Sequence, residues 1–171
     1  MSILNVEIKA RCSNPENIHD LLMANSADFR GEDHQIDTYF KVPNGRLKLR
    51  EGNIERNLIH YHRSNQEGPK QSHVTLYKPG EGDALKTILT DSVGVLVVVD
   101  KMRRIYFIDN VKFHIDKVEG LGNFVEIEAI DTDGSIGQQR LQGQCESFMD
   151  LLEIKAEDLL AVSYSDMLLN S

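Results

Sequence analysis

The chain has 171 residues, which is long enough for one domain with a sizeable core or an enclosed interior, and we expect a single domain over residues 1–171. Hydrophobic residues make up 40% and charged residues 27% of the sequence, as in a globular protein. No apolar run approaches the roughly 20 residues of a membrane helix. The formal net charge of −8 argues against a general nucleic-acid-binding surface, because such a surface needs an exposed basic face.

The N-terminus and the cysteine content indicate a cytoplasmic protein. The first residues lack the basic-then-apolar order of a signal peptide. Cys12 and Cys145 are the two cysteines, and without an export signal we expect both to be reduced. We expect them to pack as small apolar groups rather than to carry chemistry.

The first half of the chain is predicted to be mostly extended. A strand over 2–12 precedes a helix over 15–25, where Ser13 or Asn14 can cap the helix and Pro15 suits its first position. An extended segment over 29–42 ends at the turn Pro43-Asn44-Gly45, since Asn and Gly tolerate a positive φ. Alternating strands are predicted over 46–51 and 54–63, followed by a polar loop over 64–71.

The second half repeats this pattern and then becomes helical. We predict strands over 73–78, 93–109, 111–118 and 123–130, and a short helix over 82–90. From residue 135 the apolar spacing becomes that of an amphipathic helix, which is followed by a short helical tail over 156–169. The predicted fold class is therefore α+β, an eight-stranded antiparallel β-barrel with flanking helices. A barrel of eight strands can hold one small ligand, and its closure removes exposed sheet edges.

The charged residues recur on one face of strand after strand. The alternation places Glu7, Lys9 and Arg11 on one side of the first strand, and charged residues share a side in four further strands. Those further sets are Arg46, Lys48 and Arg50; Lys101 and Arg103; His114 and Asp116; and Glu126 and Glu128. One such face is usually solvent-exposed, but its recurrence in several strands of a closed sheet indicates a charged interior.

A charged interior of mixed sign suits a polyphosphate with its metal ions. Convergent Arg and Lys side chains bind phosphate chains, and Mg²⁺ or Mn²⁺ prefers carboxylate oxygens together with phosphate oxygens. The candidate triphosphate-binding residues are Lys9, Arg11, Arg46, Lys48, Arg50, Lys78, Lys101 and Arg103. The candidate metal ligands are Glu7, Asp116, Glu126 and Glu128. The pattern does not identify a catalytic residue.

Other polar and aromatic residues have more ordinary interpretations. We expect Glu55, which lies beside a turn, to have no paired acid with which to hold a cation, so its loss should weaken metal-dependent binding less than loss of Glu126 or Glu128. His60, His62 and Arg104 are expected at the surface or in the wall. The sequence does not decide whether His114 faces the interior or lies in the wall. The aromatic rings of Tyr39 and Phe107 are expected to pack rather than to hold an adenine ring.

Three segments resemble one known family. The opening Glu7-Ile8-Lys9, the segment from Gly45 to Arg50, and Lys101-Met102-Arg103 are similar to the CYTH superfamily, also called triphosphate tunnel metalloenzymes. The block from His114 to Glu128, HIDKVEGLGNFVEIE, is the most specific match. The resemblance extends over about residues 3–152 and is strongest for the class IV adenylyl cyclase-like branch.

The resemblance implies an eight-stranded tunnel that binds triphosphates with divalent metal. It implies metal-binding acids at Glu7, Asp116, Glu126 and Glu128. It implies phosphate-binding bases at Lys9, Arg50, Lys78, Lys101 and Arg103. Lys48, Arg11 and Arg46 match the family's basic positions less directly. The family's N-terminal signature is Glu-x-Glu-x-Lys, and Asn5 stands where its first Glu would be. We therefore expect weaker metal binding or fewer metal sites.

These features lead to three functional hypotheses. The first is a cyclase that converts ATP to cyclic AMP and pyrophosphate. The second is a thiamine or inorganic triphosphatase, and the third is a module that binds nucleotides or polyphosphate without turnover. All three take a nucleoside triphosphate or another polyphosphate as ligand, with no nucleic acid or membrane as partner, and leave a homodimer open.

Overall fold

Residues 2–63 and 65–171, which the computed structural model describes, contain eight antiparallel strands that close into a barrel. The strands are β1 Ser2–Arg11, β2 Asp28–Phe40, β3 Arg46–Glu51, β4 Arg56–Arg63, β5 Lys70–Tyr77, β6 Val95–Ile108, β7 Val111–Val118 and β8 Gly122–Asp131. Their order around the barrel is β1-β5-β4-β3-β2-β6-β7-β8, so β8 returns to β1. The predicted α+β fold with a closed eight-stranded barrel is confirmed.

The helices follow the predicted pattern. They are α1 Pro15–Ala24, α2 Ala84–Ser92, α3 Gln138–Leu151 and α4 Tyr164–Leu169, with a 3₁₀ turn at Ala156–Asp158. The Asn14 side chain accepts a hydrogen bond from the Asn17 backbone N–H, so Asn14 caps α1. Both α1 and α3 pack against the outer face of β8, which is why the hydrophobic core lies outside the barrel there.

The core explains why the outward side chains of β1, β7 and β8 are apolar. Ile8, Phe113 and Ile127 are buried there against Leu22 of α1 and Leu141 of α3. Both cysteines are buried free thiols, and burial raises the pKa of the Cys145 thiol to about 12. The expectation that they pack as small apolar groups fits this placement.

Three segments differ from their predicted bounds. The predicted polar loop over 64–71 is too long, because β5 begins at Lys70, whose buried side chain donates to the Ala161 carbonyl. Helix α2 continues to Ser92, past its predicted end at residue 90, and β6 begins at Val95 rather than at residue 93. The tail is not one helix, since its backbone is extended at Leu159 and Ser163. Ser64, within the predicted loop, and Met1 lie outside the described residues.

The turn from β3 to β4 depends on a close approach between Gly52 and Asp33. The Asp33 carboxylate accepts the backbone N–H groups of Asn53, Ile54 and Glu55 at 2.6 to 2.9 Å. A Cβ at Gly52 would lie 2.5 Å from Asp33 Oδ2, so a larger residue would displace the carboxylate. This turn therefore fixes the position of Glu55.

The C-terminal segment crosses one end of the barrel. The backbone N–H of Leu160 donates to the Lys9 carbonyl at 2.9 Å, and Lys70 Nζ donates to the Ala161 carbonyl at 2.9 Å. Ser163 and Asp166 form a capping box that begins α4. We call this the deep end of the barrel and the opposite end, where β1 begins and β5 ends, the mouth.

Across the described ranges, no helix is long and apolar enough to span a membrane.

Candidate active site in the barrel interior

The barrel encloses a cavity of about 170 Å³ lined largely by charged side chains. Its cations are Lys9, Lys48, Arg50, Arg63, Lys101, Arg103 and Lys112, and its carboxylates include Glu7, Glu55, Glu126 and Glu128. The recurring charged faces of the strands thus converge, as the sequence predicted. Asp116 completes the predicted set, because its carboxylate contacts Arg103 inside the barrel.

Asp37 holds three cations of this cavity together. Its buried carboxylate accepts two hydrogen bonds from Arg50, at 2.9 and 2.8 Å, and one from Lys101 at 2.7 Å. Lys48 Nζ lies 3.3 Å from the same carboxylate. Burial alone would raise the pKa of Asp37, but these three charges lower it well below its ordinary value. Asp37 therefore stays ionised and keeps the three cations oriented before any ligand binds.

Arg103 forms a second buried cluster. It donates two hydrogen bonds to Asp116 at 2.7 Å and a third to Glu126 at 2.8 Å. The Tyr164 hydroxyl of α4 donates to Asp116 at 2.7 Å, so the C-terminal segment joins this cluster. Burial, together with the charges of Asp116 and Glu126, raises the pKa of Tyr164 well above its ordinary value. The hydroxyl is therefore protonated and remains a donor.

Lys9 is the cation least committed to an acid. Its ammonium lies 3.6 Å from the centroid of the Tyr164 ring, and within 2–63 and 65–171 no carboxylate is at salt-bridge distance from it. Burial lowers the pKa of Lys9 to about 8, although the nearby Glu126 opposes this shift. Lys9 can therefore receive a phosphate oxygen without first breaking an ion pair.

The carboxylates nearest the mouth oppose one another. Glu7 on β1 lies directly opposite Glu128 on β8, and Arg63 donates to Glu7 while the Asn5 amide donates to Glu128. Burial raises the pKa of Glu128 to about 6; Lys112 opposes this shift, whereas Glu7, Glu126 and Glu55 add to it. Like charges placed this close are stabilised by a cation between them.

The donor chemistry of this region fits a divalent cation. Besides the carboxylates, the buried Asn5 Oδ1 has no hydrogen-bond partner and offers one more oxygen. In the part of the chain that the structure describes, no three acidic, His or Cys side chains already converge as a complete metal cage. The residues thus supply the right oxygen ligands, and phosphate oxygens would have to complete the coordination.

Glu55 has a charged partner that the sequence did not reveal. Glu55 lines the cavity, and its carboxylate lies 2.5 Å from Lys112 Nζ and accepts from Gln35. Burial would raise the pKa of Glu55, but Lys112 and then Arg50 lower it to about 2. The turn that Asp33 holds places Glu55 in the cavity. The sequence of the turn alone could not show this, because Asp33 and Lys112 are distant along the chain.

Three predicted phosphate-binding residues lie away from the cavity centre. Arg46 sits at the deep end, where Nη1 and Nη2 donate to Asp166 at 2.8 and 2.9 Å. Arg11, at the end of β1, is exposed, and so is Lys78, which follows the end of β5. The inference from parity fails at the ends of the strands, because Arg11 is the last residue of β1 and Lys78 lies one residue past the end of β5.

His114 faces the cavity and is buried, which answers the open question of its placement. Burial, and next the neighbouring charges of Arg103 and Lys112, lower the pKa of His114 well below its ordinary value, so the ring is neutral. Both ring nitrogens lack a hydrogen-bond partner. Tyr39 also lines the cavity and contacts Lys48, with its hydroxyl 3.3 Å from Nζ, so it does more than pack.

Sequence reasoning missed five members of the site: Asp37, Glu55, Arg63, Lys112 and Tyr164. Asp37 shares its strand face with Tyr39, and Lys112 shares one with His114 and Asp116, so strand parity could have found both. Tyr164 could not be found in this way, because it reaches the cavity from a helix beyond the barrel.

The fold and the interior together define a closed tunnel whose inward side chains carry balanced buried charge. A family model described as CYTH domain matches residues 4–164. The chain belongs to this family, and its barrel is the triphosphate tunnel fold of CYTH proteins.

Solved structures agree with this fold. The PH1012 protein of Pyrococcus horikoshii OT3 is 25% identical, with a TM-score of 0.73 over 95% of this chain and 98% of that chain. A proposed adenylate cyclase of Vibrio parahaemolyticus is 19% identical, with a TM-score of 0.76 over 96% of this chain and 97% of that one. A proposed adenylyl cyclase of Hippeastrum with a dominant triphosphatase activity is 16% identical, with a TM-score of 0.55 over 96% and 94%. A search of curated proteins found no significant match.

Proposed function

We propose that this protein is an enzyme that binds a triphosphate with Mg²⁺ or Mn²⁺ inside the tunnel, and that it converts ATP to cyclic AMP and pyrophosphate. The observation that carries the proposal is the buried set of cations around one cavity. Asp37 and Asp116 orient Arg50, Lys101 and Arg103, which are each no more than 6% exposed. Buried, oriented cations of this kind are costly to the fold, and an anionic ligand gives them a use.

The cations would act by binding and orienting the phosphates. Lys9 and Lys48 would meet phosphate oxygens as compact charges, while Arg50 and Arg103 would offer the donors that their acids leave free. The protonated hydroxyl of Tyr39 would donate as well, since burial raises its pKa, whereas Tyr164 already donates its proton to Asp116. This positioning would favour a reactive geometry over free ATP in water.

The candidate metal ligands are Glu7, Glu126 and Glu128 with Asn5 Oδ1, and Asp116 at the edge of this set. When bound, a divalent cation would neutralise phosphate charge and stabilise the leaving pyrophosphate. Arg63 and Arg103 now hold Glu7 and Glu126, so these side chains would have to shift toward the cation.

In the proposed reaction the ribose 3′ oxygen forms a bond to the α-phosphorus. The bond from the α-phosphorus to the oxygen that bridges to the β-phosphate breaks, pyrophosphate leaves, and the hydroxyl proton is released. The tunnel residues would contribute by holding the β- and γ-phosphates still and by excluding competing water.

A second candidate is hydrolysis of the terminal phosphate, with thiamine triphosphate or inorganic tripolyphosphate as possible substrates. The reported triphosphatase activity of the Hippeastrum protein and the similarity to an RNA triphosphatase of Schizosaccharomyces pombe, at 10% identity and a TM-score of 0.53, favour keeping this candidate. The third candidate is binding without turnover, which Asn5 favours because it lacks the charge of a carboxylate. A cytoplasmic location and a homodimer remain predictions.

Product analysis tests the proposal. The protein is incubated with ATP, tripolyphosphate or thiamine triphosphate, each with Mg²⁺ or Mn²⁺. Cyclic AMP with equimolar pyrophosphate supports the cyclase, whereas orthophosphate release without cyclic AMP supports the triphosphatase. Tight binding without any product supports the binding module, and no binding of any of the three ligands contradicts the proposal as a whole.

A further inference from the structure

The buried imidazole of His114 takes no part in the ion pairs of the tunnel. The ring is 3% exposed and lines the cavity. A neutral imidazole has one nitrogen that donates a hydrogen bond and one that carries a lone pair. In the part of the chain that the structure describes, both nitrogens are buried without a hydrogen-bond partner. Unpaired polar atoms on a buried ring are unfavourable to the fold, which points to a ligand that uses them.

The register of the barrel places His114 among the candidate metal ligands. It lies directly opposite Glu126 on β8, and Asp116 is two residues along β7 on the same face. Directly opposite side chains in an antiparallel pair have Cβ atoms about 5 Å apart, so one cation can contact both. On β6 the residue opposite His114 is Ile105, whose aliphatic side chain offers no hydrogen bond. The ring therefore has a carboxylate on one side and an apolar wall on the other.

The lone pair of the ring, rather than its N–H group, is what His114 adds to this cavity. Seven cations already offer N–H groups to phosphate oxygens. The candidate metal ligands, in contrast, are all oxygen atoms, from carboxylates and from the Asn5 amide. Among the described residues that line the cavity, His114 is the one histidine, and no cysteine is present. Its nitrogen would thus be a ligand of a different kind from the others.

A nitrogen ligand distinguishes between metal ions. Mg²⁺ is a hard cation that oxygen atoms hold, whereas imidazole is a common ligand of first-row transition metals. In sites of nitrogen and oxygen ligands, affinity rises from Mn²⁺ to Co²⁺. Asn5 acts in the same direction, because an amide oxygen carries no formal charge and attracts a hard cation less strongly than a carboxylate does.

We propose that His114 is a nitrogen ligand of the tunnel's divalent cation, beside Glu126, and that it makes the site prefer Mn²⁺ or Co²⁺ to Mg²⁺. This inference rests on the proposed function, which places a divalent cation near these carboxylates but does not choose between Mg²⁺ and Mn²⁺. It adds a ligand that is not an acid, and it selects the class of cation. His114 is a metal-binding residue in this account, and no step of the reaction is assigned to it.

The test uses Mn²⁺ as the probe, because its electron spin couples to the nitrogen nuclei of a bound imidazole. Electron spin-echo spectra detect this coupling without any turnover. Spectra of Mn²⁺ with the full chain, alone and with tripolyphosphate, are compared for the wild type, His114→Phe and His114→Gln. Phe keeps a flat ring without a nitrogen ligand. Gln offers an amide oxygen instead and remains informative if the Phe ring packs poorly.

His62→Phe is the matched control for binding of Mn²⁺ outside the barrel. His62 is exposed on β4, its ring centroid lies 4.9 Å from that of His60, and it is directly opposite His73. These three surface histidines are the place where Mn²⁺ could contact imidazole without entering the tunnel. The control therefore assigns a nitrogen coupling to the inside or the outside of the barrel.

We expect the imidazole coupling in the wild type and in His62→Phe, and its loss in both His114 variants. Calorimetric titrations with tripolyphosphate present should give a ratio of Mn²⁺ to Mg²⁺ affinity about 10-fold lower in both His114 variants and unchanged in His62→Phe. Mn²⁺ binding without imidazole coupling in the wild type, or coupling that is lost only in His62→Phe, would overturn this inference and leave the proposed function standing. A wild type that binds tripolyphosphate with neither cation would overturn both.

Discussion

The two ends of the tunnel differ in their inward side chains and in how far these are exposed. At the deep end the C-terminal segment closes the barrel, and buried charges are paired by Asp37, Asp116 and Glu126. At the mouth, partly exposed apolar side chains such as Leu76 lie in the same cavity as Glu55, Lys112 and Glu128. A buried charge without a partner is very costly, whereas a half-exposed aliphatic side chain costs little. The difference indicates that the deep end is organised before a ligand arrives and that the mouth gains from being covered.

This contrast explains why acids accompany the cations. Seven inward cations around one cavity would repel one another strongly if no acid lay among them. Asp37 alone neutralises part of the charge of Lys48, Arg50 and Lys101. The ion pairs hold the cation geometry, and a polyphosphate would then add negative charge to an arrangement that already exists.

The largest expected effect is at Asp37. Asp37→Asn keeps the shape of the side chain but leaves Arg50 and Lys101 without their buried carboxylate, so we expect a loss of about 3–5 kcal/mol in the free energy of unfolding. Urea denaturation measures it. Asp28→Asn is the control, since Asp28 pairs with Arg30 at the surface and should cost less than about 1 kcal/mol.

Anion rescue sharpens this prediction. Tripolyphosphate should raise the melting temperature of Asp37→Asn more than that of the wild type, because it replaces the missing negative charge. Similar stability losses in Asp37→Asn and Asp28→Asn would show that the deep end is not held by its ion pairs.

The next effect concerns pH at the mouth. Because the folded pKa of Glu55, about 2, is below its ordinary value of 4.5, its ion pair contributes stability above about pH 5. That stability is lost as the pH falls from 5 toward 2. Glu55→Gln should therefore flatten the acid limb of stability against pH by on the order of 3 kcal/mol.

Denaturation curves collected between pH 7 and pH 2 measure that limb. Glu67→Gln serves as the control, since Glu67 is an exposed loop residue. An acid limb that is equally steep in wild type and Glu55→Gln would contradict the buried Glu55–Lys112 pair.

A smaller effect is expected from the contact that holds the C-terminal segment. Arg46→Met removes two hydrogen bonds to Asp166 and should destabilise the segment by about 1 kcal/mol, because the pair is partly exposed. Hydrogen exchange over residues 160–169 should become faster, while exchange in β7 stays unchanged. Arg30→Met, at an exposed pair, should leave exchange in 160–169 as it is. Unaltered exchange over residues 160–169 in Arg46→Met would show that Arg46 does not help to close the deep end.

The smallest expected effect is at Asn5, near the mouth. Asn5→Glu places a third carboxylate beside Glu128, so we expect Mg²⁺ or Mn²⁺ to bind several-fold more tightly, by about 1 kcal/mol, and any metal-dependent turnover to rise. Asn123→Glu is the control for net charge, because Asn123 is exposed on β8. Superimposable metal-dependence curves for wild type and Asn5→Glu would mean that the missing carboxylate is no handicap.

The barrel was predictable from the sequence because the alternation that defines each strand is visible in a few consecutive residues. The alternation in β3 and β7 gave both strands their observed bounds, 46–51 and 111–118, and placed Arg50 at the cavity and Asp116 against Arg103 inside the barrel. Which side of the sheet a residue faces depends only on the two-residue repeat of its strand, and that repeat is kept throughout the barrel.

Partnership between distant residues was not predictable in this way. Nothing local shows that Glu55 reaches Lys112, 57 residues along the chain, or that Arg46 pairs with Asp166, 120 residues along. Tyr164 enters the tunnel from a helix that the strand pattern does not describe. Arg11 and Lys78 show the opposite error, because the alternation in the sequence continues to the last residue of β1 and past the end of β5, where side chains are exposed.

The central claim is that the tunnel binds a metal–triphosphate complex through its buried cations, and Lys9 tests it most directly. Lys9→Met removes a buried charge whose ammonium contacts the Tyr164 ring, so it strands no ion-paired carboxylate among the residues described. The measurement is a calorimetric titration with tripolyphosphate, with Mg²⁺ or with EDTA, of the wild type, Lys9→Met and the exposed control Lys78→Met. We predict Mg²⁺-dependent binding that Lys9→Met weakens at least about 10-fold and Lys78→Met changes less than about 2-fold. Equal affinity in EDTA, or equal affinity in Lys9→Met and the wild type, would contradict the account.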